Sequence, residues 1–267
     1  MDSLLYWAIV PVILLLIFIY KKDTKSEPMG MVVKIFFLGV FSCIPTVIVE
    51  MFLDGIFSTE NYSSLAILFI NVFMGVALVE EFFKWIIVKL VAYNNSNHDE
   101  TYDAIVYSVF ASLGFACFEN IAYVFNYGFG TALLRAISAV PGHACFGVIM
   151  GYFFSKAKQA THKKSNNEGM YLLLSLVIPT LVHTIYDFLV FSDVSFLATL
   201  WIGFVIALFI VCFILVNTAA KDNAYFVKHY VTVSNNHTNT TVANFCPKCG
   251  TRNPGGNFCQ KCGSKLR

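Results

Sequence analysis

Seven stretches of this chain are apolar over the length of a bilayer crossing, and that repetition limits the fold more than any motif does. They fall near residues 3–20, 31–53, 64–92, 103–125, 132–154, 170–191 and 195–217. A helix that crosses the hydrocarbon layer needs about 20 residues. Composition agrees: 57% of the 267 residues are hydrophobic and 13% are charged, roughly half the charged share of a soluble domain. The 27 Phe and 13 Tyr suit contact with lipid and with its interface. The expectation is an all-α polytopic membrane protein with about seven transmembrane helices. The third stretch is too long for a perpendicular helix and must tilt or run past the membrane.

Lysine and arginine set the orientation. Lys21, Lys22, Lys25, Lys156, Lys158, Lys163, Lys164, Lys221 and Lys228 fall in one set of loops, and Arg135 alone falls in the other. The lysine-rich set is expected on the cytoplasmic side of the cell membrane, with the N-terminus outside and the tail inside. The charges of the first span follow its apolar run, so an uncleaved anchor is expected rather than a signal peptide. The net charge of +2 says little about partners, and no nucleic-acid partner is expected.

The tail changes character. Residues 221–242 are polar and read as a flexible linker, with sequons at Asn236 and Asn239 that a cytosolic tail would make chance matches. Residues 243–267 hold the near repeat NFCPKCG and NFCQKCG. Cys246, Cys249, Cys259 and Cys262 form C-x2-C-x9-C-x2-C, four thiolates suited to a closed tetrahedral zinc. Two disulfides are the competing reading, and a reducing cytosol disfavours them. Such a zinc ribbon is structural, and a cytosolic protein partner is one role for it. Cys43, Cys117, Cys145 and Cys212 lie in apolar spans and read as small core residues.

Charges within the spans are few and concentrated. A charge at mid-bilayer costs about 2.5–3.5 kcal/mol even on insertion scales. The third span nevertheless carries Glu80, Glu81 and Lys84, the fourth Glu119, the fifth His143, and the sixth His183 and Asp187; the first, second and seventh carry none deep inside. At about 100° per residue, Lys84 lies angularly between Glu80 and Glu81, one turn along. Glu119 and Tyr123 are four residues apart, as are His183 and Asp187, so the phenol can hold one carboxylate and Asp187 can orient an imidazole. Gly147, four residues after His143, is expected to leave room beside the ring. Pro141-Gly142 is expected to kink the helix. Counted along their spans, Glu80, Glu81, His143 and His183 fall near the middle and Glu119 somewhat toward the outer side, so that they can meet at one level. A polar network that merely fixes packing is the plainer explanation, but it brings no stability over apolar packing.

At these residues the chain resembles the PrsW family of intramembrane proteases, relatives of prenyl-protein endopeptidases and bacteriocin-processing membrane proteins. The family pattern E-E-x-x-K, F-E-x-x-x-Y, H-x-x-x-G and H-x-x-x-D reads here as Glu80-Glu81-Phe82-Phe83-Lys84, Phe118-Glu119 through Tyr123, His143 through Gly147 and His183 through Asp187. The resemblance covers about residues 60–190. It implies hydrolysis of peptide bonds in membrane-anchored protein substrates, such as site-1 cleavage of a regulator. The expected organisation is then a membrane protease domain over 1–220, a linker over 221–242 and the ribbon over 243–267. The candidate catalytic set is Glu80, Glu81, Glu119, His143 and His183, supported by Lys84, Tyr123 and Asp187. Glu80 or Glu81 would act as base on a water. His143 and His183 would either bind a catalytic divalent metal, zinc by preference, or stabilise the oxyanion without one. An ion-coupled transporter and a scaffold acting through its ribbon are the alternatives outside catalysis.

Overall fold

A computed structural model describes residues 2–60, 62–221, 230–235, 238–243 and 258. Each expected span is helical: α1 (Asp2–Lys22), α2 (Met29–Asp54), α3 (Leu65–Ala92), α4 (Asp103–Tyr127), α5 (Phe129–Ile137), α6 (Ala139–His162), α7 (Glu168–Phe191) and α8 (Ser195–Lys221). With α5 and α6 taken as one segment, 7 helical segments among the described residues are long and apolar enough to cross a membrane. The protein is a multi-pass membrane protein.

Helix α4 forms the centre. Every residue from Asp103 to Cys117 is buried, as a helix apolar on all sides requires, and α1, α2 and α6 pack around it. Gly147 and Gly151 let α6 approach it. A Cβ at Gly147 would lie 2.9 Å from the Val109 Cα, and one at Gly151 2.5 Å from the Ala104 carbonyl oxygen. Gly147 therefore serves helix packing and does not open space beside His143 as expected. Cys43, Cys117, Cys145 and Cys212 are buried free thiols, in keeping with their core reading.

The fifth span differs from expectation. It breaks at Ser138 (φ −126°, ψ −69°), whose hydroxyl donates to the Leu134 carbonyl at 2.7 Å. Pro141 then sits in the first turn of α6, where a missing N–H costs nothing, so the proline follows the break rather than making it. Helix α3 also departs from a plain α-helix. Its turns Phe73–Ala77 and Val88–Ala92 are wide π turns, and they bracket the charged segment Leu78–Ile87.

The chain divides into two units, Met1–Ala224 and Tyr225–Arg267. In the second, within residues read from sequence as linker, β1 (Tyr230–Asn235) pairs antiparallel with β2 (Thr238–Ala243), Tyr230 opposite Ala243. Asn239 lies in β2. Asn236 and the ribbon ligands Cys246, Cys249, Cys259 and Cys262 lie outside the described residues.

Candidate active site

Lys84 holds the site together. Its Nζ lies 3.0 Å from Glu80 Oε2, 2.8 Å from Glu81 Oε1 and 3.1 Å from His143 Nδ1. An ammonium has three N–H donors, and each has an acceptor. The angular argument from sequence thus holds, and the lysine reaches a second helix as well. Lys84 is 0% exposed, and its Nζ also sits 4.2 Å from the centre of the Phe115 ring. A buried charge needs this degree of pairing, since one left without partners costs several kcal/mol.

The two histidines are held differently. His143 accepts from Lys84 at Nδ1, so Nε2 carries the proton and donates to Glu119 Oε2 at 2.8 Å. Its carbonyl accepts from Ser112 Oγ at 2.6 Å. His183 has carboxylates on both sides, Glu81 Oε1 3.1 Å from Nδ1 and Asp187 Oδ2 3.2 Å from Nε2. Asp187 orients that ring as its spacing suggested. The two rings lie 5.5 Å apart between centres, and Phe146 stacks on His183 at 4.5 Å.

All of the expected acids and histidines meet. The depth matches in part. Glu80 and Glu81 lie near the middle of α3, and Glu119, eight residues from the end of α4, lies toward the side away from the lysine-rich turns as expected. His143, the fifth residue of α6, and His183, eight residues from the end of α7, lie nearer the helix ends than expected. The cluster lies toward the face opposite the lysine-rich turns. Counting α5 as part of the fifth span had moved His143 to mid-span. Tyr123 does not hold Glu119 by a hydrogen bond among the described residues. Arg135 pairs with Glu119 by charge instead, with Nη2 3.1 Å from Glu119 Oε2, Nε donating to Asn120 at 3.0 Å, and its guanidinium 4.1 Å from the Tyr123 ring centre. The sequence reading placed Arg135 in a loop; a guanidinium at the end of the short helix α5, facing a chain with few outer charges, was the available signal. Glu50 was missed too. Its Oε1 is buried without a hydrogen-bond partner, and Glu80, Glu119, Lys84 and His183 are among its charged neighbours. The second span therefore contributes a carboxylate, although it is expected from sequence to carry no charge deep inside.

Two sets of ligand atoms fall within 4.8 Å of one another here, Glu80–Glu81–His183 and Glu80–Glu119–His143. Among the described residues no such set contains both histidines, the pair expected to share a metal. Glu81 Oε2 is buried and has no hydrogen-bond partner among the described residues, so one oxygen of the site's most enclosed acid can take a proton or face a cation.

Residues 27–216 match the model of the PrsW family intramembrane metalloproteases. Protease PrsW of Oceanobacillus iheyensis is 41% identical over 210 residues, 76% of this chain and 93% of the relative. Protease PrsW of Bacillus subtilis is 36% identical over 209 residues, 75% and 92% of the two chains. That of Clostridioides difficile is 32% identical over 206 residues, 75% and 84%. No solved structure matches. The matched residues contain every member of the buried cluster and stop short of the cysteine pairs, and the chain belongs to the PrsW family of intramembrane proteases.

Proposed function

We propose that this endopeptidase cleaves membrane-anchored protein substrates by activating a water at Glu81. The observation that carries the reading is the free Oε2 of that residue beside an Oε1 held by both Lys84 and His183. A carboxylate fixed at one oxygen is positioned to take a proton at the other. It would receive the water proton and return it to the leaving amide nitrogen. Lys84 and His183 oppose the negative charge that develops on the carbonyl oxygen, which in a dry site is a large contribution. Glu119, 22% exposed at its side chain, marks the side from which water and substrate enter. With the lysine-rich face in the cytoplasm, that entrance lies toward the outside, as site-1 cleavage of a regulator requires.

A catalytic metal is a second reading, supported by the donor chemistry. Glu80, Glu81 and His183 would hold the ion through two carboxylates and His183 Nδ1, while Asp187 takes the other ring nitrogen, the usual carboxylate support of a metal-binding histidine. An ion there would polarise the scissile carbonyl as a Lewis acid. Cys246, Cys249, Cys259 and Cys262 would hold a separate, structural zinc in a cytoplasmic tail that docks a protein partner.

The test is cleavage of a membrane reporter in proteoliposomes. E81Q, H143A and H183A are each expected to lose activity, and full activity in all three would end the reading. In a variant lacking 221–267, loss on chelation with recovery on zinc favours the metal, and indifference to the chelator favours the residues alone.

A further inference from the structure

At the lysine-rich end, the turn between α1 and α2 (23–28) meets the turn between α3 and α4 (93–102). Asp23, Glu27, Glu100 and Asp103 come together there at 7%, 2%, 2% and 0% exposure. The one lysine in these turns, Lys25, reaches Asp99 at 2.5 Å, at a partly exposed edge. Asp103 Oδ2 caps the turn, accepting from the backbone N–H of Asp99 at 2.9 Å and of Glu100 at 2.6 Å. Asp23 Oδ1 accepts from the N–H of Lys25 at 3.1 Å. The remaining oxygens, Asp103 Oδ1 and Asp23 Oδ2, are buried and accept from no N–H or O–H donor among the described residues. Asp103 pairs instead with the Glu27 carboxyl group, two acids that can share a proton, and the Tyr107 hydroxyl donates to Glu27 Oε2. Buried carboxylate oxygens without donors are costly, and here acid faces acid.

We propose that Asp23, Glu100 and Asp103 bind a hard divalent cation of calcium's size that clamps the two turns together. Their ligand oxygens lie within 4.8 Å of one another. Oxygens on opposite sides of a calcium ion, at about 2.3–2.6 Å each, are about 5 Å apart. An all-oxygen set suits calcium or magnesium and not the thiophilic metals, which separates this site from the cysteine pairs and from the imidazoles of the active site.

The full-length protein in detergent, passed over a chelating resin, is melted at pH 7.5 with calcium chloride or with potassium chloride of equal ionic strength. Calcium at about a hundredfold excess over its dissociation constant is expected to raise the midpoint by about 5–10 °C. Potassium should not do so, E81Q should keep the rise, and D23N and D103N should lose it. Asparagine at 103 can still accept the two backbone bonds; where one of these variants does not fold, the other decides. Sensitised terbium emission from the wild type, displaced by calcium, tests the site without any substitution. No calcium-specific rise and no displaceable terbium, a rise that potassium reproduces, or one that survives in D23N or D103N overturns the proposal and leaves shared protons as what holds the acids together.

Discussion

The protein carries two buried charge clusters, and they differ in how like charges are held apart. In the active site, Glu80, Glu81 and Glu119 are interleaved with Lys84, Arg135 and two histidines, and each cation bridges at least two partners. At the lysine-rich end, Asp23, Glu27, Glu100 and Asp103 crowd together with only Lys25 in their turns, itself engaged with Asp99. Within the membrane the chain must supply its own countercharge, because water and ions do not reach it cheaply. Near the aqueous face an outside cation can do the same. Neutralising one acid should therefore have opposite consequences in the two places.

The largest expected effect is on chemistry. E81Q keeps an acceptor for Lys84 but removes the base, and reporter cleavage should fall by about 10²–10⁴-fold with the fold retained by thermal unfolding. K84M comes next. It leaves Glu80, Glu81 and His143 without their shared donor, and truncating one side of a buried charge network costs about 3–5 kcal/mol; a sharply lowered unfolding midpoint is the readout. G151L forces α6 away from the Ala104 carbonyl, and overpacking of this kind costs about 1–3 kcal/mol. R135M should act more mildly, lowering cleavage by about 10-fold, about 1.4 kcal/mol in the barrier, because His143 still holds Glu119. The smallest effect sharpens the contrast most. In cation-free buffer at pH 7.5, D23N should raise the midpoint by about 2 °C, whereas E81Q should not raise it.

Much of this was legible from sequence because membrane burial makes charge conspicuous. Glu80, Glu81 and Lys84 stood out against the apolar residues around them, and helical periodicity alone put the lysine between the acids. His183 and Asp187 were paired by the same rule. What escaped depended on where helices end. The break at Ser138 has no proline or glycine of its own, so the fifth span was read as continuous, His143 was placed too deep, and Arg135 was left in a loop. Glu50 lies four residues before the end of α2, where periodicity along one helix does not show that site residues of other helices end up near the same level. Gly147 shows the converse limit: a small residue beside a functional one does not say whether the space is kept for a ligand or for another helix.

The wide turns of α3 have a consequence for how this enzyme could be altered. Each π turn holds one residue more than an α-helical turn would. The first, Phe73–Ala77, lies just ahead of the acids, so the direction in which Glu80 and Glu81 point depends on the number of residues before them as well as on their identity. Removing one residue from that turn would close it to an ordinary α-helical turn and leave both acids and Lys84 facing nearly the same way, whereas removing one from the α-helical stretch Leu78–Val79 that follows would swing them by about 100°, out of reach of the histidines. The turn should thus accept exchanges such as Met74→Leu and even the loss of one residue, whereas loss of Leu78 from the α-helical stretch after it should silence the enzyme as fully as losing Glu81.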